Sequence, residues 1–99
     1  MRIEHRYNGT KETAYEKLST LLTELQKQYA NEISNVATSW NNKKDRMDFI
    51  FDVRGFTLRG NMNVTDSLVI IEGKIPLLVR PFQGQAERRI KEKLEEILK

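Results

Sequence analysis

The chain has no cysteine and a single histidine among its 99 residues. The first absence excludes a disulfide framework, a thiolate metal site and a cysteine nucleophile. With one histidine and scattered carboxylates, no recognised metal-ligand spacing remains, so no metal and no cofactor are expected. Long apolar runs are also lacking: none approaches the roughly 20 residues needed to cross a bilayer. The opening Met1-Arg2-Ile3-Glu4-His5-Arg6-Tyr7 has no apolar signal-peptide core, and the expected setting is a reducing cytoplasm with peripheral contacts only. Charge of one sign is scarce too, since 17 Lys and Arg face 14 Asp and Glu for a net charge of +3. Nucleic-acid surfaces cluster their basic residues, whereas Lys43-Lys44-Asp45-Arg46 and Arg88-Arg89 are interrupted by or paired with acids, so no nucleic-acid partner is expected.

Hydrophobic residues make up 38% and charged residues 31% of the chain, a balance that favours a folded globule over a disordered segment. No repeat, linker or low-complexity stretch divides it, and residues 1–99 are read as one domain. A domain this small buries only about 60–65% of its unfolded surface, so a large ligand cavity would compete with the core.

Ile3, His5 and Tyr7 alternate with charged residues and predict a short strand ended by Asn8-Gly9. Thr10 is a suitable helix N-cap, and Ala14, Leu18, Leu21, Leu22, Leu25 and Tyr29 follow at helical spacing, predicting one amphipathic helix of about 18 to 22 residues. Val36, Thr38 and Trp40 resume strand alternation before the polar turn Asn41 to Asp45. Met47, Phe49, Phe51 and Val53 define the next strand, and Phe56, Leu58 and Met62 the one after. A two-residue Arg54-Gly55 loop pairs Val53 with Phe56 and Phe51 with Leu58 on one face. Arginine suits the first position of such a turn poorly, which leaves a bulged or longer loop as the alternative. The last strand, Leu68 to Ile75, is apolar on both faces for part of its length. From about Pro81 to Leu98, Ala86, Ile90, Leu94, Ile97 and Leu98 form the stripe of a second amphipathic helix.

The order β-α-β-β-β-β-α gives an α+β single domain in which an antiparallel sheet needs its apolar face covered by the two helices. A curved sheet gripping the C-terminal helix, a reduced helix-grip layout, is the economical arrangement; a flatter two-layer sandwich is the alternative.

Trp40, Phe49, Gly55, Gly60 and Val64, followed by Gly73-Lys74-Ile75-Pro76-Leu77-Leu78-Val79-Arg80-Pro81-Phe82 and the helix through Ile90-Lys91-Glu92-Lys93-Leu94, resemble the polyhydroxyalkanoic acid system family of small bacterial proteins. Ile75-Pro76-Leu77-Leu78 with Pro81 and Phe82 is the most specific part, and Asn41-Asn42 departs from the glycine-containing turn expected there. The resemblance implies a bacterial cytoplasmic protein acting at or near a polyester granule surface or on its proteins. It supplies no catalytic residues.

Two sites are expected. In the first, Ile75 and Phe82 close the core while Leu77, Leu78 and Val79, flanked by Lys74 and Arg80, form a contact tip. Leu68 and Ile70 on the last strand add a second apolar contact face, and together these residues predict a non-enzymatic binding or assembly module, homo-oligomeric or attached to a granule surface or granule protein. In the second, Trp40, Phe49, Phe51, Phe56 and Leu94 line a pocket between sheet and C-terminal helix, as a small acyl-ligand carrier requires. An enzymatic reading would need His5 in a cleft beside a carboxylate. Asp48 and Asp52 lie roughly 13 Å apart along a strand, too far to share one active site.

Overall fold

Alternation at the start of the chain produces β1 (Arg2–Arg6), with Ile3 buried between exposed Arg2 and Glu4. The structure is a computed structural model that describes residues 1–98. After the Asn8-Gly9 turn, Thr10 caps α1 (Lys11–Leu18) by accepting a hydrogen bond from the Thr13 amide at 3.2 Å. The single helix expected here is two. α1 stops at Ser19, and α2 (Leu21–Gln28) starts after Thr20. The Ser19 hydroxyl donates to the Glu16 carbonyl at 2.8 Å and the Thr20 hydroxyl to the Lys17 carbonyl at 3.0 Å. Two consecutive hydroxyls thus occupy carbonyls in the last turn of α1, the local competition by which serine and threonine bend helices. Ala14, Leu18, Leu21 and Leu25 still reach the core across the break.

Four strands follow as a meander: β2 (Ile33–Trp40), β3 (Arg46–Val53), β4 (Phe56–Val64) and β5 (Leu68–Lys74). The antiparallel sheet has the order β1-β5-β4-β3-β2, so the first strand closes against the last, with Ile3 opposite Ile71 and His5 opposite Val69. Val53 pairs with Phe56 and Phe51 with Leu58, the register that the alternation requires. The loop between them is the tight one: Arg54 (φ 50°) and Gly55 (φ 84°) both adopt positive φ, the conformation of a primed hairpin turn. For arginine this backbone costs about 1–2 kcal/mol. Its side chain is engaged on one side by Glu32 and on the other by the Phe82 ring.

All helices lie on one face of the sheet. The fully buried Ile3, Leu18, Met47, Met62, Val69 and Leu94 bring together strand and helix residues there. On the opposite face, among the described residues, no helix covers Leu68, Ile70 and Ile50, which are half-buried among charged neighbours such as Arg6, Glu4 and Arg59.

After β5, a 3-10 helix (Leu77–Phe82) crosses to α3 (Gln83–Ile97). The C-terminal half of α3 is well anchored. Leu94 and Leu98 are buried, His5 Nε2 donates to the Leu98 carbonyl at 3.0 Å, and Lys93 Nζ reaches Glu24 of α2 at 3.1 Å. The N-terminal half is not: Gly84, Gln85 and Ala86 are exposed and Ile90 is half-buried. α3 therefore stands away from the sheet at its start.

Candidate functional site

The 3-10 helix between β5 and α3 has no buried residue. Leu77 is 74% exposed and Leu78 75%, and Phe82, at 49%, is the other large exposed apolar side chain among the described residues. Val79 and Ile75 are half-buried, while Lys74 and Arg80 are exposed on either side. Phe82 thus departs from the expectation that it closes the core. Its ring lies outside, 5.4 Å beneath the Arg54 guanidinium, because the 3-10 segment delivers it beside the β3–β4 turn before α3 reaches the sheet.

Where α3 stands away, a cavity of about 120 Å³ opens between helices and sheet. Its walls are almost wholly apolar: Leu22 and Leu25 from α2, Met47, Phe49 and Phe51 from β3, and Ile90 from α3. Of the aromatic and aliphatic residues expected around such a pocket, Phe49 and Phe51 line it, with rings stacked at 6.0 Å. Trp40 lies instead edge-on to Tyr15 at 4.8 Å, Leu94 is a buried anchor of α3, and Phe56 is half-buried at the hairpin end.

Three charged side chains meet at the cavity's rim. Glu32 accepts from Arg54 Nη2 at 2.7 Å through Oε1 and from Arg89 Nη1 at 3.3 Å through Oε2. Glu32 and Arg89 both line the cavity, and the Arg89 guanidinium lies 4.6 Å over the Tyr29 ring. Two arginines sharing one carboxylate leave a surplus positive charge at an apolar opening. This cluster escaped sequence reasoning. The signal that pointed toward it was the arginine at a turn position that disfavours it.

The hydrogen bond from Arg54, reinforced by the charges of Arg54 and Arg89, holds the Glu32 carboxyl below the usual carboxylate range against an opposing effect of burial. A carboxyl depressed on folding stabilises the fold above its unfolded pKa and loses that contribution as pH falls through its folded one. Wild type should therefore melt above Glu32→Gln at neutral pH, and scanning calorimetry should see the gap close on acidification below the ordinary carboxylate range. A gap that persists unchanged into strong acid would contradict this role for Glu32.

The remaining candidates are distributed. His5 is committed to the Leu98 carbonyl, and Asp52 accepts from Asn35 at 2.8 Å and Thr57 at 2.7 Å, while Asp48 pairs with Arg46 at 3.2 Å on the uncovered face. Among the described residues no three of His, Cys, Asp and Glu gather as a metal site would require, and no helix is long and apolar enough to cross a membrane.

Fold and surface together define a small α+β domain, one sheet face covered by helices, with an apolar recess and an exposed aliphatic turn. The chain belongs to the family described as "Putative polyhydroxyalkanoic acid system protein", which it matches over residues 1–98. No curated protein and no solved structure matches it. The family's name links the chain to polyhydroxyalkanoate systems.

Proposed function

We propose that this protein is a non-enzymatic, cytoplasmic binding module that attaches to the apolar surface of polyhydroxyalkanoate through the 3-10 helix. The observation that carries this reading is the pair Leu77 and Leu78, each about three-quarters exposed just past the end of β5. Aliphatic side chains held out in water at a tip, with Phe82 beside them, are the chemistry of an insertion point. Lys74 and Arg80 flank them with long stems that can lie along an apolar surface while their charges stay in water. Burial of Leu77, Leu78 and the outer part of Phe82 would supply about 4–6 kcal/mol before the losses of association. Such attachment is weak and reversible. The family name agrees with a polyester as the surface. Leu68 and Ile70, on the face of β5 without helices, are the self-association face in this reading.

Co-sedimentation with polyhydroxyalkanoate particles tests it. Wild type should be retained, and Leu77→Asp with Leu78→Asp should lose most retention while keeping its far-ultraviolet circular dichroism and melting temperature. Equal retention of the folded double variant would sink the proposal. A strict monomer by light scattering would remove the self-association part alone.

A further inference from the structure

The cavity under α3 and the charged trio at its rim are placed as the two halves of one small-molecule site. We propose that this recess binds a short aliphatic chain bearing one carboxylate, the chain against Met47, Phe49 and Leu25 and the carboxylate at Arg89 and Arg54. This site lies apart from the exposed leucines and does not depend on attachment to a surface.

Three observations converge on that ligand. The walls offer hydrocarbon and little else, so the enclosed part of the ligand must be apolar. The volume of about 120 Å³ is somewhat smaller than the ~150 Å³ cavity known to hold benzene, which limits the chain to about four to six carbons. At the rim, Arg54 and Arg89 share the one carboxylate of Glu32, and a second carboxylate would bring the group to neutrality. Guanidinium groups are suited to that role because their donors match a carboxylate in pairs. Tyr29, under the Arg89 guanidinium, holds one of the two donors flat at the opening.

Glu32 then acts as a competitor for the ligand's own head group. That assignment fixes signs that a purely structural ion cluster would not produce. Removing the Glu32 charge should tighten binding of an anion, because both arginines are released to it, whereas removing the Arg89 charge should weaken it. A neutral ligand of the same length should respond to neither change.

The test is a titration of the full chain, with carbon-13-labelled methionine methyls, followed by nuclear magnetic resonance. Butyrate, hexanoate, decanoate and 1-hexanol are the probes. Hexanoate should shift the Met47 and Met62 methyls saturably, with affinity falling for decanoate. Glu32→Gln should bind hexanoate several-fold more tightly and Arg89→Gln about tenfold more weakly, with 1-hexanol unchanged in both. The folded variant Leu77→Asp with Leu78→Asp should bind hexanoate as wild type does, which separates this site from the surface reading. The proposal is overturned if hexanoate leaves both methyls unshifted, if Glu32→Gln weakens binding, or if the Leu77 and Leu78 changes abolish it.

Discussion

Gly60→Ala should destabilise the protein by about 3 kcal/mol or more, a large part of the ~5–15 kcal/mol that holds a domain together. Gly60 sits in β4 opposite Gly73 of β5 and Phe49 of β3. A methyl group there would overlap the Glu72 carbonyl oxygen and lie 2.6 Å from Phe49 Cζ. The ring could turn aside, but the carbonyl belongs to the sheet backbone, so relief requires β4 and β5 to part. A Phe49 ring forced aside would also reshape the cavity it lines. Gly84→Ala is the internal comparison. It lies in the first turn of α3 with nothing within 4 Å of the added methyl, and it should stabilise by about 0.5–1 kcal/mol by lowering the entropy of the unfolded chain. Urea unfolding midpoints should move in opposite directions. Two shifts of equal size and sign would show that the Glu72 and Phe49 contacts do not constrain the sheet.

Leu94→Ala should cost about 2–5 kcal/mol, the range for truncating a fully buried leucine. The loss should be concentrated in one element. The buried attachments of α3, Leu94, the C-cap Leu98 with its His5 hydrogen bond and the Lys93–Glu24 ion pair, lie at its C-terminal end, and only the half-exposed Arg89 ties its first half to Glu32 and Tyr29. The Lys93 ammonium is held charged to higher pH, chiefly by its hydrogen bond to Glu24, but Glu24 keeps its side of the pair partly in water, where ion pairs contribute little. Apolar burial therefore carries the attachment. Hydrogen exchange should show the α3 amides of Leu94→Ala losing protection well before those of β3 and β4. Uniform loss across helix and sheet would mean that α3 opens only with the whole domain.

The sheet was legible because independent cues agreed. Alternation in Met47 to Val53 and Phe56 to Met62 and the length of the Arg54-Gly55 loop all require one register, and the structure has it. The place of β1 beside β5 followed from no such cue, since it joins residues more than sixty positions apart. The break between α1 and α2 was hidden because Leu18, Leu21, Leu22 and Leu25 keep helical spacing through it. Only the hydroxyls of Ser19 and Thr20 mark the change. Burial of Phe82 was expected from its apolar character; its outward place depends on how the 3-10 helix turns the corner. For the rim cluster, Glu32 meets Arg54 across 22 residues and Arg89 across 57, and neither separation has a period to read. Phe49 and Phe51 were legible as cavity walls once their strand face was fixed, but Trp40, at the other end of the sheet, shares that face and packs on Tyr15.

Pro76 and Pro81, which bracket the exposed leucines, bear on what happens when that turn leaves water. Each amide N–H carried into a medium without hydrogen-bond acceptors must be paired beforehand or pay for its lost hydration. Proline has no such hydrogen, and the Val79 amide is already bonded to the Pro76 carbonyl at 2.9 Å. Three of the donors an ordinary segment would carry over residues 76–81 are thus missing or satisfied, which leaves the amides of Leu77 and Leu78 among those without a backbone acceptor. On the proposed attachment, dehydrating this main chain would cost less than for a loop of the same length without prolines, and a larger share of what the leucines gain would be left for adhesion.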